Sequence, residues 1–432
     1  MSEQTFFIET WGCQMNDLDT QRISGQLLLR GYTRVESEAD ADLVLLNTCS
    51  IREKSEHKVF TRLGQLKEVK RRGGRIGVCG CVAQQEGEAL LARAPYVDFV
   101  MGPGNVAHLD EVLDGRRKLA VDFPEERQYD YLSIDRPSPT RAQVTVVEGC
   151  NKNCTFCIVP TTRGREVSRP LSAILDEVRH AVFTGRVEIE LLGQTVNAYR
   201  CPRTAAPFAE LLDSVAAVPG VRRLRFMTSH PAEVSRAMIE VMRDRPNISR
   251  FLHLPVQSGS SSVLRRMKRL YTRERYLEII AEIRREIPDI LFSTDIIVGF
   301  PGETDADFEQ TLTLLEEVRY GSIFAFRYSP RPGTPALRLG PPADESTAAA
   351  RLERVFEVQN RIERDTLLSY EGRTLEVLYE GPSRHDPQVH SGKSDHNWTV
   401  NFEAGAPLAP GTLVEVRIQS AGRHTLKGEA VA

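Results

Sequence analysis

The stretch that decides the fold is QVTVVEGCNKNCTFC, residues 143–157. Its first part, Gln143–Val147, is an apolar, β-branched run of strand length. Its second part places Cys150, Cys154 and Cys157 in a C-x3-C-x2-C spacing directly after that strand. Three thiolates on one loop bind three irons of a 4Fe-4S cube and leave the fourth iron open to a small chelating molecule. The stretch therefore predicts a strand that ends at an iron–sulfur site.

This cysteine loop has a second interpretation, as a zinc loop with a distant fourth ligand or as unpaired buried cysteines. Zinc sites typically carry Cys or His pairs at short spacing with a second pair downstream, and no such pair follows Cys157. The pattern instead favours chelation of the open iron by the amino and carboxylate groups of S-adenosylmethionine (SAM). One electron from the cluster then cleaves the sulfonium bond, which needs a low reduction potential.

Strands and helices alternate downstream of this loop. Including Gln143–Val147, six strand–helix units predict a partial parallel (β/α)6 barrel, whose active site lies at the carboxyl ends of its strands. The further predicted strands are Glu188–Leu192, Arg223–Thr228, Phe251–Pro255, Phe292–Val298 and Ser322–Tyr328, and the predicted helices include Leu171–Thr184, Thr272–Glu286 and Asp305–Val318.

The segment upstream of the loop also alternates, and it predicts a doubly wound α/β domain. The strands are expected at Thr5–Thr10, Ala41–Asn47, Arg75–Cys79 and Phe99–Met101, and the helices at Asn16–Leu29 and Ile51–Arg72. Cys13, Cys49 and Cys81 each follow one of these strands. Open parallel sheets bind ligands at those carboxyl ends.

The C-terminal region has a different pattern. After the proline-rich residues Pro330–Pro342 comes a charged helix, Asp344–Ser369, and then short alternating strands that predict a small antiparallel β-barrel. Those strands are expected at Leu375–Tyr379, Trp398–Phe402 and Leu413–Gln419. The predicted class is α/β, with domains at 1–123, 142–368 and 369–432 and a charged, proline-bearing linker at 124–141.

Composition sets limits on location and partners. The 432 residues are too many for one hydrophobic core, and 41% of them are hydrophobic. The net charge of −3 neither requires nor excludes a nucleic acid as a binding partner. No apolar run approaches the roughly 18–20 residues that span a bilayer, and Met1–Thr10 lacks a basic leader. A cytosolic protein is therefore expected, in which the eight cysteines are metal ligands or reactive thiols rather than disulfides.

Several motifs resemble one family, the radical SAM methylthiotransferases. The aromatic Phe156 before the last loop cysteine is typical of the radical SAM superfamily, and the C-terminal barrel resembles the RNA-binding TRAM domain. The motifs that narrow the resemblance are WGCQMN (11–16), NTC (47–49), GCVAQ (80–84), QTVNAY (194–199), LPVQSG (254–259) and VGFPGET (298–304).

The resemblance implies a second 4Fe-4S cluster, the auxiliary cluster, held by Cys13, Cys49 and Cys81. Cys79 stays open as an alternative ligand, since residues two apart on a strand face the same side. Thr48–Lys54 (TCSIREK) is similar to the MiaB-type enzymes, which convert isopentenyladenosine at position 37 of tRNA to its 2-methylthio form and consume two SAM molecules.

Alternative functions are methylthiolation of threonylcarbamoyladenosine or of a ribosomal protein, and a noncatalytic iron–sulfur or RNA-binding protein. The partners expected from the resemblance are tRNA, an electron-donating reductase or flavodoxin-like protein, and a sulfur or cluster donor. A monomer without membrane contact is expected.

Contacts to SAM and RNA are expected from strand-end and basic residues. The SAM candidates lie on the predicted catalytic rim, and ordinary loop capping is the alternative for each; they are Phe156, Gln194, Asn197, Ser229, Gln257 and Asp295. The RNA candidates are a basic cluster and one aromatic ring, for which a solvated helix face and core packing are the alternatives; they are Arg265, Arg266, Lys268, Arg269 and Trp398.

Overall fold

The computed structural model describes residues 4–50, 55–124 and 129–431. The chain forms two compact units. The first comprises the chain up to residue 137 together with 148–152 and 157–167, and the second comprises 138–147, 153–156 and the chain from 168 onward. Each unit is described by itself. None of the helices within the described ranges is long and apolar enough to cross a membrane.

The first unit contains a six-stranded parallel sheet in the order β2-β1-β3-β4-β5-β6. The strands are β1 (Thr5–Trp11), β2 (Thr33–Arg34), β3 (Leu43–Thr48), β4 (Arg75–Gly80), β5 (Phe99–Met101) and β6 (Leu119–Ala120). The helices are α1 (Gln14–Leu29), α2 (Ser55–Gln65), α3 (Lys67–Arg71), α4 (Cys81–Glu86), α5 (Glu88–Arg93) and α6 (Leu109–Leu113). Apolar clusters cover both faces of this sheet, so the doubly wound prediction is confirmed.

Two details of this unit differ from the prediction. The strands β2 and β6 have two residues each, which is too short for a periodic pattern to reveal. The helix expected at Ile51–Arg72 is two helices that meet at Leu66. Its first four positions lie outside the described residues.

The cysteine loop lies between short elements. In chain order these are β7 (Arg141–Thr145), β8 (Val147–Glu148), α7 (Val159–Arg163) and β9 (Val167–Ser168). The loop itself is 149–158, between β8 and α7. The predicted strand Gln143–Val147 is divided between β7, which ends at Thr145, and β8, which begins at Val147 and pairs with β9.

The second unit contains the partial barrel. Its remaining strands are β10 (Glu188–Leu192), β11 (Arg223–Phe226), β12 (Phe251–His253), β13 (Leu291–Val298) and β14 (Ser322–Arg327). They form two parallel sheets, β11-β10-β7 and β12-β13-β14, and an isolated parallel bridge joins Leu224 of β11 to Ile248 in the segment before β12. The helices are α8 (Leu171–Phe183), α9 (Phe208–Ala216), α10 (Arg236–Asp244), α11 (Ser261–Arg266), α12 (Arg273–Glu286), α13 (Asp305–Val318) and α14 (Glu345–Leu368).

A closed five-stranded barrel completes the second unit, in the order β15-β16-β17-β19-β18. Its strands are β15 (Thr374–Pro382), β16 (His390–Ser394), β17 (Thr399–Glu403), β18 (Leu413–Ala421) and β19 (Thr425–Ala430). The small barrel was predicted, but β16 and β19 were not, because their polar, glycine-bearing sequences lack a strand signal. Together these elements confirm the predicted fold class.

Hydrogen bonds join the described part of the predicted linker to α1. The backbone N–H of Asp135 donates to the carbonyl of Gln21 at 3.0 Å, and the Ser24 hydroxyl donates to the Asp135 carboxylate at 2.6 Å. At Gly25 a Cβ atom would lie 1.4 Å from the Ser133 carbonyl oxygen. This segment therefore packs against α1 within the first unit, and α1 requires glycine at the point of contact.

Gly25→Ala is expected to destabilise the protein by about 1–3 kcal/mol, because the new methyl group has no space against the Ser133 carbonyl. The matched control is Gly64→Ala in α2, where a Cβ would meet nothing within 4 Å. That change is expected to stabilise its helix by about 0.5–1 kcal/mol. Thermal unfolding of both variants checks this, and equal melting temperatures would contradict it.

Candidate functional site

Three cysteines meet at one edge of the first sheet. They follow β1, β3 and β4, which are neighbours in that sheet and end in register at Trp11, Thr48 and Gly80. The thiols of Cys13 and Cys81 both lie close enough to Cys49 to raise the pKa of its thiol. The fold thus brings together residues that are far apart in the chain.

Glycines allow this close approach. A Cβ atom at Gly12 would lie 2.8 Å from the Cys49 Cβ, and one at Gly80 would lie 2.4 Å from the Asn47 side-chain oxygen. Gly80 also has φ +91°, a conformation that L-residues avoid. This turn breaks the strand alternation, so Cys81 starts α4 and leaves the face that Cys79 occupies.

The structure separates Cys79 from the other thiols. Its side chain is buried in the apolar cluster of Phe6, Ile23 and Met101, and burial raises its pKa to about 12. Cys81, by contrast, lies beside Cys49. The environment of Cys79 disfavours the thiolate that metal binding requires.

A buried cation lies near two of the three thiols, Cys13 and Cys81. Hydrogen bonding to Cys49 lowers the pKa of Cys13 to about 6 and that of Cys81 to about 7, and the positive charge of Arg163 lowers both further. The same thiol hydrogen bonds raise the pKa of Cys49. The Arg163 guanidinium is itself paired with the buried Asp19 carboxylate at 2.7 Å. The site therefore favours the thiolate forms of Cys13 and Cys81.

These thiols fit an iron–sulfur cluster better than a single ion. Within the described part of the chain, no three His, Cys, Asp or Glu side chains surround a point as the ligands of one metal ion do. A cluster differs because each thiolate binds its own iron. Three adjacent sulfur atoms on rigid strand ends, beside a buried cation, match that requirement.

The cysteine loop offers a second set of thiols, none of which is joined in a disulfide within the described residues. In the first unit, the Cys150 backbone N–H donates to the Gly164 carbonyl at 3.1 Å. Gly149 at φ +75° permits this turn, since its Cβ would lie 2.0 Å from the Arg165 carbonyl oxygen. The Cys150 sulfur accepts the Lys152 backbone N–H at 3.4 Å.

In the second unit, Cys154 is buried and has a cationic neighbour. Nη1 of Arg269 donates to its sulfur at 3.3 Å, and Nη2 donates to the Pro255 carbonyl at 2.9 Å. The guanidinium is therefore engaged inside the protein. Arg269 thus contacts Cys154, and its role in RNA binding stays a prediction.

The SAM candidates at the barrel rim have different surroundings. The Asn197 side chain forms two hydrogen bonds with the backbone of His230. It donates to the His230 carbonyl at 3.0 Å and accepts a hydrogen bond from the His230 N–H at 2.8 Å. This capping was the alternative interpretation, and it explains Asn197. The buried hydroxyl of Ser229 has no partner among the described residues. Gln194 follows β10 and is half-buried.

Gln257, Asp295 and Phe156 lie on the other half of the barrel. Gln257, with φ +79°, bridges β13 through backbone hydrogen bonds with Asp295 and Ile297. The Asp295 carboxylate is 30% exposed and lies 3.6 Å from Nε2 of His253. The Phe156 ring is edge-on to Phe300, with centroids 6.4 Å apart.

The remaining RNA candidates divide into exposed and buried side chains. Arg265 and Lys268 are exposed, whereas Arg266 lies 3.5 Å from the Asp307 carboxylate. Trp398 is only 7% exposed and packs in the core of the C-terminal barrel. Its prediction as an RNA-stacking residue is corrected, because core packing accounts for the ring.

Sequence reasoning missed Arg163 as a member of the first site. Its partner Asp19 lies 144 positions earlier in the chain. No local pattern connects two residues at that separation.

Three family models match the chain. They are Uncharacterized protein family UPF0004 over residues 5–102, the Radical SAM superfamily over 144–315 and the TRAM domain over 368–431. Among solved structures, the radical SAM methyltransferase TsrM from Kitasatospora setae aligns with a TM-score of 0.55 at 15% identity, covering 78% of this chain and 77% of that one. At that identity the likeness shows the fold alone.

Curated relatives align over nearly the full length of both chains. A tRNA-2-methylthio-N(6)-dimethylallyladenosine synthase from Alkalilimnicola ehrlichii is 47% identical, over 98% of this chain and 96% of that protein. A protein of the same name from Burkholderia thailandensis is 43% identical with the same coverage. With its two sets of three cysteines, its radical SAM barrel and its TRAM domain, the chain belongs to the tRNA-2-methylthio-N(6)-dimethylallyladenosine synthase family.

Proposed function

We propose that this protein is a tRNA methylthiotransferase that converts N6-dimethylallyladenosine (isopentenyladenosine) at position 37 of tRNA to its 2-methylthio derivative. The observation that carries the proposal is the 47% identity to a synthase of that name over nearly the full length of both chains. The separate sets of cysteines support it, because radical generation and sulfur delivery require different open irons.

The cysteines divide between two 4Fe-4S clusters. Cys150, Cys154 and Cys157 hold the cluster that binds SAM, and Cys13, Cys49 and Cys81 hold the auxiliary cluster. When bound, the clusters and SAM supply a carbon-centred radical, a sulfur atom and a methyl group. Arg269 holds Cys154 in place by donating to its sulfur, and Arg163 favours the thiolate forms of Cys13 and Cys81.

Side chains on the barrel rim and surface bind the substrates. We assign SAM contacts to Phe156, Gln194, Ser229, Gln257 and Asp295, with Asn197 positioning the strand ends through its bonds to His230. Arg265, Lys268 and the partly exposed Arg266 contact tRNA phosphates, as basic side chains on an exposed surface do.

The working context follows from this function. We propose a cytosolic monomer that receives electrons from a reductase or flavodoxin-like protein and sulfur from a donor protein. We further propose that it folds as domains 1–123, 142–368 and 369–432, with residues 124–141 connecting the first two.

The decisive experiment compares substrates. Reconstituted protein with SAM and a reductant is incubated with tRNA that carries or lacks the dimethylallyl group, and the nucleosides are analysed by mass spectrometry. Methylthiolation of the modified tRNA is expected to be at least about tenfold more efficient, since a missing apolar group costs roughly 10–200-fold in a fitted pocket. Equal reaction of both tRNAs, or reaction with a ribosomal protein alone, would contradict the proposal.

A further inference from the structure

Seven side chains share one face of the sheet β12-β13-β14, which is buried at His253 and Ser293 and exposed at Phe324 and Phe326. Partners in a parallel sheet point to the same side, and the register pairs His253 with Ser293, Asp295 with Phe324, and Ile297 with Phe326. The opposite face carries Phe292, Ile296, Val298 and Ala325, which pack in the main apolar core. We call the first set the inner face; its members are His253, Ser293, Asp295, Ile297, Ser322, Phe324 and Phe326.

Two phenylalanines on the inner face are left uncovered. Phe324 is 47% exposed and Phe326 is 36% exposed, although neighbouring strand residues on the opposite face are buried. Their strand β14 is the edge of the sheet. Isolated exposed apolar side chains are common on proteins, but these two rings lie on the same face of one strand, and Phe326 is the register partner of Ile297. Grouped exposed apolar side chains are typical of interaction sites.

This apolar surface is continuous with the cysteine loop. Ile297, Phe156 and Tyr328 all pack against the small cluster that contains Phe300. The Phe300 ring lies 6.4 Å from that of Phe156 and 5.1 Å from that of Tyr328. Phe156 is two residues from Cys154, so the surface begins where SAM chemistry is placed.

The opposite end of the inner face is polar. Nδ1 of His253 is hydrogen-bonded to the Ser293 hydroxyl at 2.8 Å, and its ring is edge-on to Phe324 at 5.8 Å. The Asp295 carboxylate is partly exposed beside Phe324. An apolar strip next to hydrogen-bonding groups suits a nucleobase that carries a hydrocarbon substituent.

We propose that Phe324, Phe326 and Ile297 contact the dimethylallyl group of the substrate base and thereby select tRNA that already carries it. The inference rests on the proposed function and names the residues that decide its specificity. The occupant is small and wholly apolar, and it is attached to a polar purine. Those properties match the apolar and polar ends of the inner face.

The test compares Phe324→Ala, Phe326→Ala and the double variant with the conservative changes Phe324→Leu and Phe326→Leu. The control is Phe183→Ala, which removes a ring that is 87% exposed on α8. For each holoenzyme, kcat/KM is measured with anticodon stem–loop RNA that carries or lacks the dimethylallyl group. The dissociation constants of both RNAs are measured without turnover.

The wild-type preference for the modified RNA is expected to fall about tenfold or more in the double variant, through loss on the modified RNA only. The leucine variants keep most of the preference, and Phe183→Ala keeps all of it. Phe326→Trp, which adds bulk instead of removing it, is expected to impair only the modified RNA. An unchanged preference, or an equal loss on both RNAs, overturns the inference and makes the rings structural or part of a protein-binding surface.

The two proposals fail in different ways. If the wild-type protein forms no methylthio product with either RNA, the proposed function is wrong. The ratio of dissociation constants still tests the inner face in that case, because binding needs no turnover. Formation of 5′-deoxyadenosine without RNA is measured for every variant as a check on the cysteine loop, and Phe183→Ala is expected to match the wild type.

Discussion

Replacing Cys13, Cys49 and Cys81 together by alanine is expected to abolish methylthio product while leaving SAM cleavage intact. The iron content should fall from about eight to about four per chain, since one of two four-iron clusters is lost. The remaining cysteines, Cys150, Cys154 and Cys157, share one loop and assemble a cluster without the others. Iron analysis, 5′-deoxyadenosine formation and tRNA nucleoside analysis check the three parts separately.

The controls for this result use the two thiols outside both sets. Cys79→Ala and Cys201→Ala are expected to retain methylthiolation, because Cys79 lies in an apolar cluster and Cys201 is buried in the barrel core. Circular dichroism must first show that the triple variant is folded, since metal binding also contributes folding free energy. Formation of methylthio product by the triple variant would contradict the two-cluster mechanism. Loss of the auxiliary cluster in Cys79→Ala but not in Cys81→Ala would contradict the assignment of Cys81 as its ligand.

Arg163→Met is expected to destabilise the protein by about 3–5 kcal/mol, because it leaves the Asp19 carboxylate buried without its closest cation. Asp19 is 2% exposed and lies 2.7 Å from Arg163, whereas Arg22 is 3.7 Å away. The thiols of Cys13 and Cys81 also lose a neighbouring positive charge. Iron retention during gel filtration is therefore expected to fall as well.

A second variant separates stability from cluster binding. Arg163→Met combined with Asp19→Asn removes the unpaired charge, so it should recover part of the melting temperature while iron retention stays low. The matched control is Arg71→Met, in an exposed pair with Glu68 at 2.6 Å, where a change within about 0.5 kcal/mol is expected. Equal effects of Arg163→Met and Arg71→Met would show that the buried pair has no special role.

Local pattern was sufficient for most of the fold. The spacing of Cys150, Cys154 and Cys157 lies within eight residues, and strands such as β10 and β5 match their predicted bounds because apolar run length is a local property. The same is true of α13, which begins at a capping box formed by Thr304 and Asp307. Elements without a local signal, such as β16, were missed.

The family resemblance and the strand ends identified Cys13, Cys49 and Cys81 as candidates, but could not separate Cys81 from Cys79. Only the turn at Gly80, with its positive φ, turns Cys81 toward Cys49 and leaves Cys79 in the apolar layer. Likewise, the sequence grouped Arg269 with surface cations, whereas the fold directs its guanidinium to Cys154.

The sequence by itself determined the order of the elements, the cysteine loop and the class of chemistry, since each depends on residues close together in the chain. Tertiary structure decided the pairing of Arg163 with Asp19, the location of Trp398 in a core and the exposure of Phe324 and Phe326. These depend on which strands become neighbours and which face each one buries. A periodic pattern shows that successive residues of a strand point to opposite faces of the sheet. Only the packing of neighbouring elements determines which face is covered.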